Sequence, residues 1–346
     1  MSVSHTTPCE YTLVEKPIID ILGNFMPKYR WLKRSQNEIA RDGLNHVLLR
    51  DELIGALVRI NGIPEEVARQ VYFDLLALTD NSVWTSYLRS NYSRHVPGEA
   101  TKKTIHLIDF LNPDNNTYVV TNQLTVVAQK TRKPDLVVYV NGIPLVVIEA
   151  KSPLSAKNKT GEAFEQIKQY ERDIPRLFYS NLLNIVTDGN ATLYGATGAP
   201  SQFWGRWRDA WPRTEKEFPS ELDMAMWSLL EPSRLLDMLA HFVVFETREE
   251  ATVKKICRYQ QFRAVNKIVD RVVEGEHRKG LIWHTQGSGK SLTMVFATLK
   301  LKSHRTIDSP NLTSPNILVV TDRIDLDGQI TKTFQACGLP NPKQME

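Results

Sequence analysis

The segment KPDLVVYVNGIPLVVIEAKSP sets Pro134-Asp135 fourteen residues ahead of Glu149, with Ala150 and Lys151 directly after it. Two carboxylates and an amine are the groups that metal-assisted phosphodiester hydrolysis needs. The carboxylates offer hard oxygen ligands suited to Mg²⁺, which neutralises charge at phosphorus and acidifies an attacking water. The amine orients that nucleophile and stabilises the negative transition state. A bare D…ExK pattern is common, and its bland alternative is a strand end where Glu149 and Lys151 pair with each other or with solvent. Against that, an ionisable Glu149 closing the apolar run LVVI is costly to bury unless it has a partner or a metal. Lys130, Arg132 and Lys133 flank the pattern as a candidate phosphate-binding cluster or as a solvated loop. Lys28, Arg30, Lys33 and Arg34 cluster too, as do Lys102 and Lys103.

A second chemistry-bearing stretch is HTQGSGKSLTM at 284–294. Gly287 and Gly289 let backbone N–H groups converge on phosphates at a helix N-terminus. Lys290 is spaced to reach the terminal phosphates and Ser291 to hold Mg²⁺, so the loop from Thr285 through Ser288 to Ser291 is a candidate ATP site. His284 departs from the general pattern, which has Gly or Ala there.

Positioning these groups requires strands and helices in a definite register. Strand alternation puts Glu149 and Lys151 on one face and Ile148 and Ala150 on the other. A plain two-residue turn at Asn141-Gly142 would pair Val140 with Ile143 and leave Asp135 opposite Ile148, on the wrong face. A three-residue turn with Gly142 left-handed in a glycine bulge sets Asp135 against Val147, on the Glu149 face, and this bulged turn is the expectation. A helix over 162–173 carries the stripe Ala163, Phe164, Ile167 and Tyr170. Gln166 and Tyr170, four apart, point towards the site or form a polar flank beside a core tyrosine. A further strand is expected at Leu183–Thr187.

Around this centre, residues before 100 read as mostly helical, with NGIP at 61–64 separating two helices. From Ile105 the runs IHLIDF, TYVVTNQLTVV, DLVVYV and PLVVIEA read as strands, with turns at Asn112-Pro113-Asp114 and Asn141-Gly142. From Lys254 the order helix, strand (Leu281–Trp283), glycine-rich loop, helix, strand (Ile317–Thr321) is that of a parallel α/β sheet.

The 346 residues suggest two domains, and 42% hydrophobic with 24% charged residues is globular composition without low-complexity tracts. A net charge of +4 permits a polyanionic partner without demanding one. Cys9, Cys257 and Cys337 are odd in number and widely spaced, which fits reduced thiols in a cytoplasmic protein. The first sixteen residues lack a signal-peptide core, and no run reaches membrane-spanning length.

The runs TIHLIDFLNPDNNTYVVTNQLTV, PDLVVYVNGIPLVVIEAKSP, AFEQIKQYERDIPRLFYSN, RYQQFRAV, HTQGSGKS and VVTDRIDLDGQI together resemble the N-terminal part of the R subunit, endonuclease and translocase, of type I restriction enzymes. The likeness runs from about Ile105 onwards and is weaker before it. It implies an α/β chain: a PD-(D/E)xK nuclease-like mixed sheet flanked by helices over 1–210, a connecting segment over 211–253, and the start of a RecA-like parallel α/β motor domain over 254–346. By the same resemblance Asp135, Glu149 and Lys151 are the nuclease residues, Gln166 and Tyr170 the auxiliary QxxxY motif, and Glu15 the acidic residue of the first nuclease helix, a further metal ligand. Gln261 resembles the adenine-reading glutamine, and His284 is the family's own habit. Thr321-Asp322-Arg323 resembles a later helicase motif without an assigned ligand.

The resemblance further implies Mg²⁺ and ATP as cofactors, double-stranded DNA as substrate, and specificity and methyltransferase subunits as partners, with no membrane. In the family a DEAH-type motif, an arginine finger and a second motor domain follow beyond the point matching Glu346. The chain is therefore expected to be a truncated form unable to hydrolyse ATP or translocate, with a two-stranded parallel sheet unstable alone. The rival readings are a helicase-associated DNA repair nuclease and a non-catalytic fragment that binds DNA or ATP.

Overall fold

The computed structural model describes residues 11–25, 29–32, 41–153, 159–248, 251–277, 279–303, 315–322 and 324–339. Lys28, Lys33, Arg34, Cys9 and Arg323 lie outside the described residues. The chain forms two compact units, Met1–Leu239 and Ala240–Glu346. The division falls inside the segment expected at 211–253 as a connection.

In the first unit a π-helical turn, Tyr11–Glu15, leads into α1 (Lys16–Phe25), followed by β1 (Tyr29–Leu32), α2 (Arg50–Asn61), α3 (Glu65–Leu76) and α4 (Asn81–Leu88). The NGIP break works as its composition requires. Gly62 takes φ +60° and its N–H caps α2 on the Val58 carbonyl. Asp80 caps α4 by accepting from the Ser82 and Val83 N–H groups.

The run IHLIDF is not a strand. After the short pair β2 (Ser93–Arg94) and β3 (Lys103–Thr104), Ile105, Leu107 and Ile108 are buried in irregular backbone. Asp109 explains this: its carboxylate takes the Leu111 and Asn112 N–H groups at 3.1 and 2.9 Å, and Asn116 bonds both backbone groups of Asp109. Side chains thus occupy groups a ladder would use. The run TYVVTNQLTVV is likewise interrupted. β4 (Tyr118–Asn122) stops at Gln123, whose φ of +52° turns the chain, and β5 (Val126–Val127) pairs only with β6 (Thr131–Arg132).

The main sheet is completed by β7 (Leu136–Val140), β8 (Ile143–Ala150), β9 (Leu183–Thr187) and β10 (Thr192–Gly195), in the order β1-β4-β7-β8-β9-β10. It is mixed: β1 with β4 and β8 with β9 run parallel, and the other neighbours antiparallel. Every residue of β7 and β8 is buried, so these two strands form the centre of the core. The parallel β8–β9 pair is bridged by α5 (Lys159–Asp173), which packs on both strands through Ala163, Ile167 and Tyr170; the short α6 (Arg176–Tyr179) follows. Phe164 meets Trp204 edge-on at 5.3 Å. Then α7 (Glu221–Leu230) packs on α1, and α8 (Pro232–His241) carries the chain across the division. Mid-chain residues expected as a connection therefore supply core to the first unit.

The β7–β8 register corrects the expected turn. Asn141 and Gly142 both take positive φ, +50° and +75°, forming a two-residue turn with Val140 opposite Ile143. The one-residue shift that the site requires lies inside the strand instead: Tyr139 faces Pro144 while Val138 faces Val146, leaving Leu145 as the extra residue. Pro144 has no N–H for the ladder, which is why the bulge forms there. Leu136 then faces Ile148, and the next step along brings Asp135 opposite Glu149, not Val147.

In the second unit β11 (Val243–Arg248) and β12 (Ala251–Ile256) form an antiparallel pair, so Lys254 lies in a strand and not at a helix start. α9 (Tyr259–Glu274), α10 (Lys290–Ser303) and α11 (Ile324–Ala336) follow, and Phe242 stacks between Phe262 and Phe296. The strands expected at Leu281–Trp283 and Ile317–Thr321 belong to no sheet among the described residues, and Leu281, Trp283, Leu318 and Val320 are 70–86% exposed. A parallel strand takes its backbone bonds from neighbours, and among the described residues β11 and β12 form a sheet of two strands.

Candidate active site

Asp135 enters the sheet at the foot of β7, and Glu149 and Lys151 leave it at the end of β8. The Ala150 N–H donates to Asp135 Oδ2 at 2.8 Å, so the backbone between the two β8 functional residues holds the aspartate. Lys151 Nζ donates to Glu149 Oε1 at 2.6 Å and to the Ala150 carbonyl at 3.1 Å, while its backbone N–H continues the β9 ladder on Thr187 at 2.8 Å. The Glu149 side chain is fully buried and Asp135 is 6% exposed. Glu149 Oε2 accepts no hydrogen bond among the described residues.

Burying two facing carboxylates disfavours their charged forms. Burial raises the Asp135 carboxyl above its ordinary range, against the Ala150 N–H and the Lys151 ammonium. Glu149 is held well above the usual carboxylate range by burial first and the Asp135 charge second, with Lys151 opposing. Tyr170 remains a phenol, because burial and then the Glu149 carboxylate push its ionisation up.

α5 brings Gln166 and Tyr170 to the same place. Gln166 Nε2 donates to the Tyr170 hydroxyl at 2.5 Å, and that hydroxyl lies 3.4 Å from the Lys133 carbonyl it donates to. At the end of α5, Asp173 pairs with Arg132 through Nε at 2.8 Å and with Lys130 Nζ at 3.8 Å, so two members of the flanking basic cluster hold this loop. Lys130 and Lys133 are exposed. Elsewhere Lys103 Nζ donates to the Asn61 carbonyl at 2.9 Å and Arg30 pairs with Glu52.

Glu15, at the end of the π-helical turn, is 4% exposed and is tied to the centre by a residue the sequence reading passed over. Gln123 Nε2 donates to Asp135 Oδ1 at 2.9 Å and to Glu15 Oε1 at 3.1 Å. A glutamine inside VVTNQLTVV reads as an outward strand position. Only its left-handed backbone, a consequence of the fold, aims it at the aspartate.

Among the described residues no group of three or more His, Cys, Asp or Glu side chains is arranged to hold a metal ion. The donor set is smaller, comprising the paired Asp135 and Glu149 carboxylates, an uncommitted Glu149 oxygen and the Ala150 carbonyl beside them. Hard oxygens of net negative charge fit Mg²⁺, which keeps several waters and needs few protein ligands.

In the second unit the loop before α10 turns through two glycines in the left-handed region. Gly287 and Gly289 take φ +77° and +88°, and Ser291 lies in the first turn of α10. Lys290 Nζ donates to the His284 and Thr285 carbonyls at 3.1 and 3.2 Å, and Ser288 folds back on Thr285 at 2.6 Å. Gln261 is 2% exposed, accepting from the Arg258 N–H at 2.8 Å and donating to the Gly289 carbonyl at 3.0 Å. Both ends of that amide are spent on capping α9 and bracing the loop.

Residues 9–203 match the family described as the type I restriction enzyme R protein N terminus, more than half of the chain. The chain belongs to that family. Its C-terminal residues 260–346 match the SWI2/SNF2 ATPase family. The HindI type I restriction enzyme endonuclease subunit of Haemophilus influenzae is 34% identical over 323 residues, covering 87% of this chain and 30% of the relative. A Methanocaldococcus jannaschii protein whose name assigns it to the MjaIXP type I restriction enzyme is 30% identical over 371 residues, covering 94% of this chain and 34% of its own length. The chain thus spans about a third of the length of these relatives. No helix among the described residues is long and apolar enough to cross a membrane.

Proposed function

We propose that the first unit is a Mg²⁺-dependent DNA endonuclease of PD-(D/E)xK type, with Asp135, Glu149 and Lys151 at its centre. The observation that carries this reading is the burial of two carboxylates face to face, bridged by the Ala150 backbone, with an ammonium from the same strand against one of them. Asp135, Glu149 and the Ala150 carbonyl would hold the cation, which when bound neutralises phosphate charge and acidifies a water. Lys151 holds the nucleophilic oxygen and stabilises the charge that develops on the phosphoryl oxygens. Tyr170, kept as a phenol, and Gln166 brace the Lys133 carbonyl and so the approach to Asp135.

Double-stranded DNA is the substrate in this reading. In the same reading, sequence recognition belongs to specificity and methyltransferase subunits of a cytoplasmic restriction complex. The second unit is the start of a RecA-like motor in which Thr285, Gly287, Ser288, Gly289, Lys290 and Ser291 bind MgATP and Gln261 serves the adenine side, with its amide released from the loop.

The test is nicking of supercoiled plasmid by the purified chain in Mg²⁺, beside Lys151→Ala, with Mn²⁺ binding to the wild type and Asp135→Asn measured by calorimetry. Metal-dependent nicking lost in Lys151→Ala, and cation binding lost in Asp135→Asn, are the expected results. Equal nicking by wild type and Lys151→Ala, or unchanged Mn²⁺ binding in Asp135→Asn, overturns the assignment.

A further inference from the structure

Gln123 stands where β4 ends, and three of its features converge on Asp135. Its φ of +52° is in the left-handed region, which costs a residue with a Cβ about 1–2 kcal/mol and is ordinarily left to Gly or Asn. Its N–H donates to the Asp135 carbonyl at 2.8 Å, adding one rung beyond the Asn122–Leu136 pair. Its side-chain amide donates to Asp135 Oδ1 at 2.9 Å and to Glu15 Oε1 at 3.1 Å. A strand could end there on a glycine without strain. What the glutamine adds is a neutral double donor between two carboxylates, a position that no acid and no apolar side chain can fill.

We infer that Gln123 is a positioning residue of the cation site, fixing the orientation of the Asp135 carboxylate and coupling Glu15 to it, an inference that rests on the Mg²⁺ reading of Asp135 and Glu149. With Oδ2 held by the Ala150 N–H and Oδ1 by Gln123, Asp135 cannot rotate about its terminal bond without breaking one of two bonds. Glu15 comes from the N-terminal helical segment, Gln123 from the β4 edge and Asp135 from β7. The amide therefore links three elements to one carboxylate. Residues that orient a metal ligand in this way typically change metal affinity about 10–100-fold when removed.

The experiment measures Mn²⁺ binding to the full chain without DNA, by calorimetry, for the wild type, Gln123→Leu and Gln123→Gly. The leucine keeps the shape without the donor, and the glycine keeps the left-handed backbone without the side chain, so one variant stays informative where the other misfolds. Both are expected to bind Mn²⁺ about tenfold more weakly. In plasmid nicking the half-activating Mg²⁺ concentration should rise by a similar factor, with the rate at saturating metal changed less than about threefold. A residue that only ends a strand would leave metal affinity untouched. Wild-type affinity in folded Gln123→Leu or Gln123→Gly overturns the inference while the nuclease reading stands. A wild type that binds no Mn²⁺ overturns both.

Discussion

Replacing Lys151 with methionine keeps the stem of the side chain and removes the charge of opposite sign bonded to Glu149 Oε1, at 2.6 Å. The Lys151 side chain is 15% exposed and Glu149 is 0% exposed, so the pair is desolvated, and stripping one partner from such a pair costs about 3–5 kcal/mol. The cost has an upper limit, because Glu149 can take up a proton and its carboxyl already lies well above the ordinary range. A carboxyl raised on folding keeps a proton that the unfolded chain has released. Stability is therefore fully present below the unfolded carboxylate range and is lost as pH rises through the folded value.

Losing Lys151 lifts the folded Glu149 value further, so the penalty grows with pH by about 1.4 kcal/mol per unit between the two folded values. We expect Lys151→Met to lose up to about 3 kcal/mol at alkaline pH and less at acidic pH, in metal-free buffer. Urea unfolding followed by tryptophan fluorescence measures this in the right unit, where Trp84, Trp204, Trp207, Trp211 and Trp227 lie. Adding Glu149→Gln to Lys151→Met should recover most of the loss at alkaline pH. An equal loss at alkaline and acidic pH, or no recovery on adding Glu149→Gln, would refute the coupled-charge account and leave only lost packing.

Gly142→Ala should destabilise the first unit by about 3 kcal/mol or more, because φ is +75° and the new Cβ would lie 2.5 Å from the Leu49 carbonyl oxygen. Gly55→Ala, in mid-α2 with nothing within 4 Å of its Cβ, should stabilise by about 0.5–1 kcal/mol in the same urea titration. Tyr170→Phe removes the hydroxyl that joins Gln166 to the Lys133 carbonyl; plasmid nicking at saturating Mg²⁺ should fall about tenfold, with stability down by about 1 kcal/mol. Lys290→Ala should weaken binding of a fluorescent ATP analogue at least about tenfold while leaving Mn²⁺ binding to the first unit unchanged, since the loop belongs to the second.

Much of the centre is legible in the order of its residues. Alternation along VVIEAK puts Glu149 and Lys151 on one face, the stripe Ala163, Ile167 and Tyr170 defines α5, and the parity of the Asn141-Gly142 hairpin demands one extra residue for Asp135 to join them. The position of that extra residue was also written in the chain. Pro144 cannot donate to a ladder, so the bulge belongs beside it, at Leu145, and not in the turn. The break in IHLIDF follows from Asp109 and Asn116, whose side chains reach local backbone groups more cheaply than a neighbouring strand can.

Local chemistry thus determines helix caps, turns and which residues of an element share a face, because alternation and capping act over a few residues. Tertiary structure alone decided the rest. Gln123 meets Asp135 across the β4–β7 pairing, and reaches Glu15 only once a segment more than a hundred residues away in sequence is folded against it. Leu281–Trp283 and Ile317–Thr321 have strand composition, but composition supplies no neighbour. A parallel strand exists only when another backbone lies alongside to take its hydrogen bonds.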